Sequence, residues 1–302
     1  MKKRFLSILM VFMMFIMVGC STDNKKEVTD REGTKVNIPK KIDKIISTAP
    51  SNTEVIVDLG LSDKLVAIDK YSGDIKGINN DLTKIDFSNP DAETIIGLEP
   101  DIIIASGHNK TGSSEDPFKV ISESGIPVVY IPSSDSIEGI YKDIEFIADI
   151  LGAQDKGQTL ISDMKSQIDE VSKIGKTIND KKKVYFEIAP APNLFTFGNS
   201  TFLNEMIEII GAENVFKDEN GWVTPSAEAV IDKNPDVILT NVNYIENPVD
   251  EIKKRDSFEN INAVKENKVY QIDTNSSSRP SHKIILALNK MAKAVYPEKY
   301  GK

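Results

Sequence analysis

The sequence predicts an α/β fold of two Rossmann-like lobes with parallel sheets, joined by a single long α-helix, with a ligand cleft between the lobes. Two observations carry this reading. Short β-branched runs alternate with helix-period stretches, the pattern of parallel α/β units. That pattern occurs twice along the 302 residues, with the second copy offset by 135 positions.

The chain opens on Lys2, Lys3 and Arg4, an apolar run over 5–18, then Gly19-Cys20, which reads as a secretory signal over 1–19. Met17-Val18-Gly19-Cys20 resembles a lipobox, with Met where Leu is usual. A membrane-spanning anchor would need roughly 20 apolar residues, and an ordinary secreted protein would carry Cys20 as an unpaired thiol. Acylation of Cys20 is therefore expected, which places the protein outside the cytoplasm, lipid-anchored to the cell membrane. Residues 20–41 read as a lipidated tether and lead-in, polar at first, with order beginning near Val36 or Ile42.

The N-terminal lobe is expected over 42–150. Residues 44–50 form a β run ending in Ala49-Pro50, and a helix-period stretch over 53–60 stops at Gly60. The first copy of the repeat then runs from Phe87 through Pro90, Glu93, Pro100 and Asp101 into Ile102-Ile103-Ile104. Asn89 is the expected cap, Pro90 the first helical residue and Pro100 the stop. The apolar run that follows reads as a buried parallel strand, and 126–131 reads as another. Residues 151–180 form the connector, with one long helix over 154–174 that contains no proline. A helical connector predicts little lobe closure, since bending a helix breaks backbone hydrogen bonds.

The C-terminal lobe, 181–302, repeats the order: a β run over 183–190, a helix over 201–211, and then the second copy. Trp222, Pro225, Glu228, Pro235 and Asp236 match Phe87, Pro90, Glu93, Pro100 and Asp101 one for one, with Thr224 as the expected cap. A last β run covers 268–272.

Composition narrows the function. A single cysteine excludes an internal disulfide, so the core alone must hold the mature chain of about 280 residues. The net charge of −9 becomes −12 once 1–19 are removed. So acidic a body does not suit nucleic acid and leaves the lipid as the only membrane contact. Nucleophile elbow, phosphate-binding loop and His-Glu-x-x-His motifs are all missing from the sequence, so no enzyme is expected.

Ligands of open parallel sheets bind beyond the carboxyl ends of the strands. On that edge Tyr71 and Phe87 would face Trp222 and Tyr244 across a cleft with aromatic walls, suited to a large, flat or greasy ligand. Core placement is the alternative for Phe87 and Trp222. Arg279, in the loop before the last helix, offers a forked donor, with a solvated surface arginine as the alternative. His108, in a strand-end loop, is placed to touch a ligand or to ligate a metal already held in a chelate, with a simply exposed histidine as the commoner alternative. With His108 and His282 the only histidines, no side-chain metal site is expected. Glu93 and Glu228 each sit in a helical first turn, where a carboxylate meets the helix dipole favourably. Their matched placement also suggests two prongs for a two-fold symmetric partner.

These residues together resemble the substrate-binding lipoproteins of ABC importers, in the cobalamin and ferric-siderophore family. The similarity runs over about 41–296, with landmarks at 47–54, 89–93, 98–101, Phe197-Gly198, 234–236 and 278–280. The resemblance implies a capture protein that delivers a small-molecule metal chelate to a permease dimer with separate ATPase subunits. Glu93 and Glu228 match the carboxylates that dock on permease arginines, and Tyr71, Phe87, Trp222 and Arg279 fall where cobalamin binders place ligand contacts. Asn275 stands where that pattern has an acid, and Ser106 where it has a second tryptophan. A corrinoid is the leading ligand. A ferric siderophore neutralised by Arg279 and Lys110 follows, then haem; free zinc or manganese is disfavoured. A surface enzyme on the same scaffold and a lipid-anchored adhesion module are the remaining alternatives.

Overall fold

The computed structural model describes residues 24–110, 112 and 115–301. Cys20 and the signal lie outside the described residues. Ordered structure starts earlier than the tether reading allowed. Strands β1 (Lys25–Thr29) and β2 (Lys35–Pro39) form an antiparallel hairpin. The turn is set by Asp30, whose carboxylate accepts from the amides of Glu32 at 3.0 Å and Thr34 at 2.7 Å, with Gly33 at φ +88°. The other Asp30 oxygen accepts from the Tyr130 amide at 3.1 Å, and Arg31 pairs with Asp143 at 2.8 Å. A buried aspartate and one ion pair distant in sequence thus hold a segment whose polar composition reads as loop.

The N-terminal sheet comprises β3 (Ile45–Ser47), β4 (Leu65–Asp69), β5 (Thr83–Ile85), β6 (Ile102–Ser106) and β7 (Val128–Ile131). All pairs are parallel, in the order β5-β4-β3-β6-β7. The chain winds one way from β3 through β4 to β5 and the other way through β6 to β7, so the sheet reverses between β3 and β6. Such a reversal leaves a crevice beyond the strand ends. Ile45, Ile46, Ile102, Ile103 and Ile104 are fully buried, as expected of strands covered on both faces.

The C-terminal lobe comprises β8 (Lys183–Glu187), β9 (Thr196–Phe197), β10 (Glu213–Asn214), β11 (Trp222–Val223), β12 (Val237–Thr240) and β13 (Val269–Gln271). Its main sheet is parallel in the order β10-β8-β12-β13, while β9 and β11 form a short antiparallel ribbon. The two lobes are therefore related but unequal.

The helices capped by the repeat begin later than expected. They span Ala92–Gly97 and Ala227–Lys233, and their caps are Asp91 and Ser226, two residues beyond Asn89 and Thr224. The Asp91 carboxylate accepts from the amides of Glu93 and Thr94, and Ser226 Oγ accepts from the Ala229 amide at 3.1 Å. Pro90 and Pro225 thus precede the caps, and their fixed φ steers the chain into the turn.

The connecting helix runs Gln154–Gly175, with Gly157, Ile161, Met164, Ile168, Val171 and Gly175 buried along one stripe. Its 22 residues span about 33 Å at helical rise. Lys156 Nζ donates to the Leu59 carbonyl of the first lobe at 2.9 Å. Near the other end, Tyr300 OH donates to the Val171 carbonyl at 3.2 Å. Gly175 has no room for a side chain, since a Cβ there would meet the Ile209 carbonyl and the backbone of Ile210 and Gly211. One rod is therefore fastened to both lobes. Among the described residues no helix is long and apolar enough to cross a membrane.

Candidate ligand-binding cleft

The carboxyl edge of the first sheet carries three aromatic side chains at one spacing. Tyr71, Phe87 and His108 each stand two residues beyond the last residue of β4, β5 and β6. β4 and β5 are neighbours, which brings Tyr71 and Phe87 side by side, whereas β6 lies beyond β3 and His108 reaches Phe87 from the turn over Gly107–Lys110. The Tyr71 and Phe87 centroids lie 6.0 Å apart, and Phe87 meets the His108 ring edge-on at 6.3 Å. Tyr71 is 57% exposed and Phe87 half-buried. The loops beneath are held by Asn109, whose Oδ1 accepts from the Ser106 amide at 2.8 Å and from Thr48 Oγ1 at 2.6 Å. Its amide nitrogen donates back to the Thr48 carbonyl at 3.3 Å. One buried side chain thus joins the loops that follow β3 and β6, at the crevice.

In the second lobe Trp222 lies in the β9–β11 ribbon. Its indole stacks on Phe195 with centroids 5.7 Å apart and planes 15° from parallel, and meets Phe197 edge-on at 6.4 Å. Trp222 is 56% exposed and Tyr244 67% exposed, so neither is core, whereas Phe197 is fully buried. Phe87 and Trp222 each precede their helices by five positions, as the repeat required. Phe195 was missed by the sequence reading. No local signal separates Phe195 from Phe197, since residues two apart in an extended segment share a face, and the contact with Trp222 comes from the pairing of β9 with β11.

Arg279 is not a free anion anchor. Nη1 donates to Glu54 Oε1 at 3.0 Å, and Nη2 donates to the Tyr71 carbonyl at 3.1 Å and to Asp74 Oδ1 at 2.9 Å. All three acceptors belong to the other lobe. Asn275 Nδ2 donates to Asp74 Oδ2, and Ser281 Oγ donates to Glu54 Oε2. His282 Nε2 meets Asp58 Oδ2 at 2.6 Å. Burial works against the Arg279 charge, and hydrogen bonds to Asp74 and Glu54 outweigh it, holding the guanidinium above its ordinary value. Nor is Lys110 available as expected: it pairs with Glu32 at 2.7 Å and its ammonium lies 3.4 Å from the Tyr130 ring centroid. The sequence offered no signal for Asp74, whose role follows only from how the lobes meet.

Glu93 and Glu228 are both exposed in the first turns of matched helices. The Glu228 carboxyl is held below its ordinary value by its own backbone amide and by the Ser226 hydroxyl. Among the described residues no cluster of three or more His, Cys, Asp or Glu side chains could hold a metal ion. A separate recess of about 590 Å³, lined by Tyr141, Ile168, Glu205 and Ile209 among others, contains none of the aromatic set.

Residues 45–275 match the periplasmic binding protein family. The chain is 34% identical over 278 residues to an uncharacterized ABC transporter substrate-binding lipoprotein, YvrC, of Bacillus subtilis, covering 90% of this chain and 86% of that one. The chain belongs to this family of ABC-transporter substrate-binding proteins. It is also similar to a vitamin B12-binding protein of Vibrio campbellii, at 26% identity over 82% of this chain and 87% of the relative. Among solved structures, a possible iron-binding (periplasmic solute-binding) protein from Staphylococcus epidermidis superposes with a TM-score of 0.76 at 29% identity, over 85% of this chain and 100% of that one. Members of this family act as binding components of transport, which agrees at family level with the expectation of no catalysis.

Proposed function

We propose that the chain is the capture subunit of an ABC importer for a large metal chelate, held outside the cytoplasm by a lipid on Cys20. The observation that carries this reading is the pair of aromatic surfaces: Tyr71, Phe87 and His108 on one lobe, and Trp222 stacked on Phe195 on the other. Tyr244 adds an exposed ring to the second lobe. Aromatic faces of this extent grip a flat, greasy macrocycle by area and stacking. A corrinoid is the ligand this chemistry favours, and similarity to a vitamin B12-binding protein supports it. A ferric siderophore is the second reading, supported by similarity to a possible iron-binding protein. Glu93 and Glu228 are the two prongs that meet the permease dimer, and the ATPase subunits drive release of the chelate inward.

Titration of the purified protein with cyanocobalamin tests the lead. Saturable quenching of Trp222, the single tryptophan, with a calorimetric Kd of micromolar or below, is the expected result. Saturable binding of a ferric siderophore with no response to cyanocobalamin transfers the assignment to iron.

A further inference from the structure

We propose that Arg279 is a strap between the lobes that also filters ligand charge, so that the cleft takes a neutral or cationic chelate and discriminates against an anionic one. The inference rests on the metal-chelate reading and adds the ligand's charge class. Its first ground is geometric. Both arms of the Arg279 fork cross from the second lobe to the first, one to Glu54 and the other to Asp74 and the Tyr71 carbonyl. The Arg279 side chain is only 12% exposed and that of Glu54 only 4%.

The second ground is what an anionic ligand would require. To meet it, Arg279 would have to release either Asp74, leaving that carboxylate unpaired beside the incoming anion, or Glu54, leaving a buried carboxylate with only Ser281 as partner. Stripping one member from a buried pair is the strongly unfavourable way to break it. Two lysines next to cluster residues in the chain, Lys70 and Lys110, also meet carboxylates already, Lys70 with Asp86 at 2.9 Å and Lys110 with Glu32 at 2.7 Å. Asp74 keeps 48% of its side chain exposed, so the strap presents negative charge beside Tyr71. A neutral or cationic chelate meets no opposition there, whereas an anionic one faces Asp74 directly.

The strap also accounts for the amide at Asn275. As an amide it donates to Asp74; a second carboxylate there would repel it.

The test is calorimetric binding of four probes by the wild-type protein and Asp74→Asn: cyanocobalamin, neutral ferrichrome, cationic ferrioxamine B and anionic ferric enterobactin. Wild type is expected to bind at least one neutral or cationic probe about tenfold or more tightly than the anionic one. Asp74→Asn is expected to narrow that gap by about threefold or more, by removing the exposed charge and freeing one arm of the guanidinium. Equal or tighter binding of ferric enterobactin by wild type, or a gap unchanged in Asp74→Asn, overturns the filter and leaves the chelate reading standing. Binding of none of the four overturns the chelate reading itself, and the filter with it.

Discussion

The indole of Trp222 lies on the ring of Phe195, 5.7 Å between centroids and 15° from parallel, yet more than half of Trp222 faces solvent. A tryptophan stacked on one face and open on the other is a half-built sandwich. Phe195 fixes its angle, and the free face is available to a flat ligand.

Removing that support gives a first prediction. Phe195→Ala should leave the fold intact, because the buried half of the ribbon is carried by Phe197. The lost stacking is worth about 0.5–1.5 kcal/mol, so ligand affinity should fall by roughly two- to tenfold. Trp222 emission should shift to longer wavelength as its supported face becomes wet. Unchanged emission together with unchanged affinity would show that the stack plays no part in binding.

The matched carboxylates give a second. Glu93 and Glu228 are exposed and outside the aromatic surfaces, so the Glu93→Ala, Glu228→Ala double variant should bind ligand within about twofold of wild type. Uptake by cells carrying it should fall by about tenfold or more, because charge pairing guides such encounters. Each single variant should fall between, since each prong serves one half of a two-fold partner. Undiminished transport by the double variant would remove docking from both residues.

How far the fold was legible follows from where each contact comes from. Strands β3, β6, β8 and β12 are near-continuous apolar runs, and the Pro-Asp pair before β6 and β12 marks their start, so local pattern was enough. The hairpin over 25–39 was not legible, because its order comes from Asp30 bonded to Tyr130, 100 positions away. Cap placement failed by two residues for a local reason: Asn89-Pro90-Asp91 offers two good caps, and Asp91 is the one whose carboxylate reaches Glu93 and Thr94. At the site, Tyr71, Phe87 and Trp222 could be found from the repeat and the strand-end rule. The partners of Arg279 could not, since Glu54 and Asp74 lie 225 and 205 positions from it and reach it only through the packing of one lobe on the other.

Asp69, at the end of β4, carries the last prediction. It is fully buried, accepts from the Tyr71 amide at 2.8 Å and from the Ser72 hydroxyl, and forms no ion pair among the described residues. Burial raises its carboxyl above the ordinary range, and those hydrogen bonds with the field of Arg279 only partly offset this. The folded chain therefore holds this proton more tightly than the unfolded chain does. By linkage, a group raised on folding adds stability as pH falls from above its folded value toward the ordinary carboxylate range near 4. Asp69→Asn removes that titration and keeps a side-chain oxygen to accept from Tyr71. The melting temperature of wild type minus that of Asp69→Asn should therefore increase as pH is lowered from about 7 to about 4.5, within the window that linkage sets. A difference that stays flat, or shrinks with acid, would mean that Asp69 is charged in the fold without cost and that the amides beneath Tyr71 stabilise it more than burial opposes it.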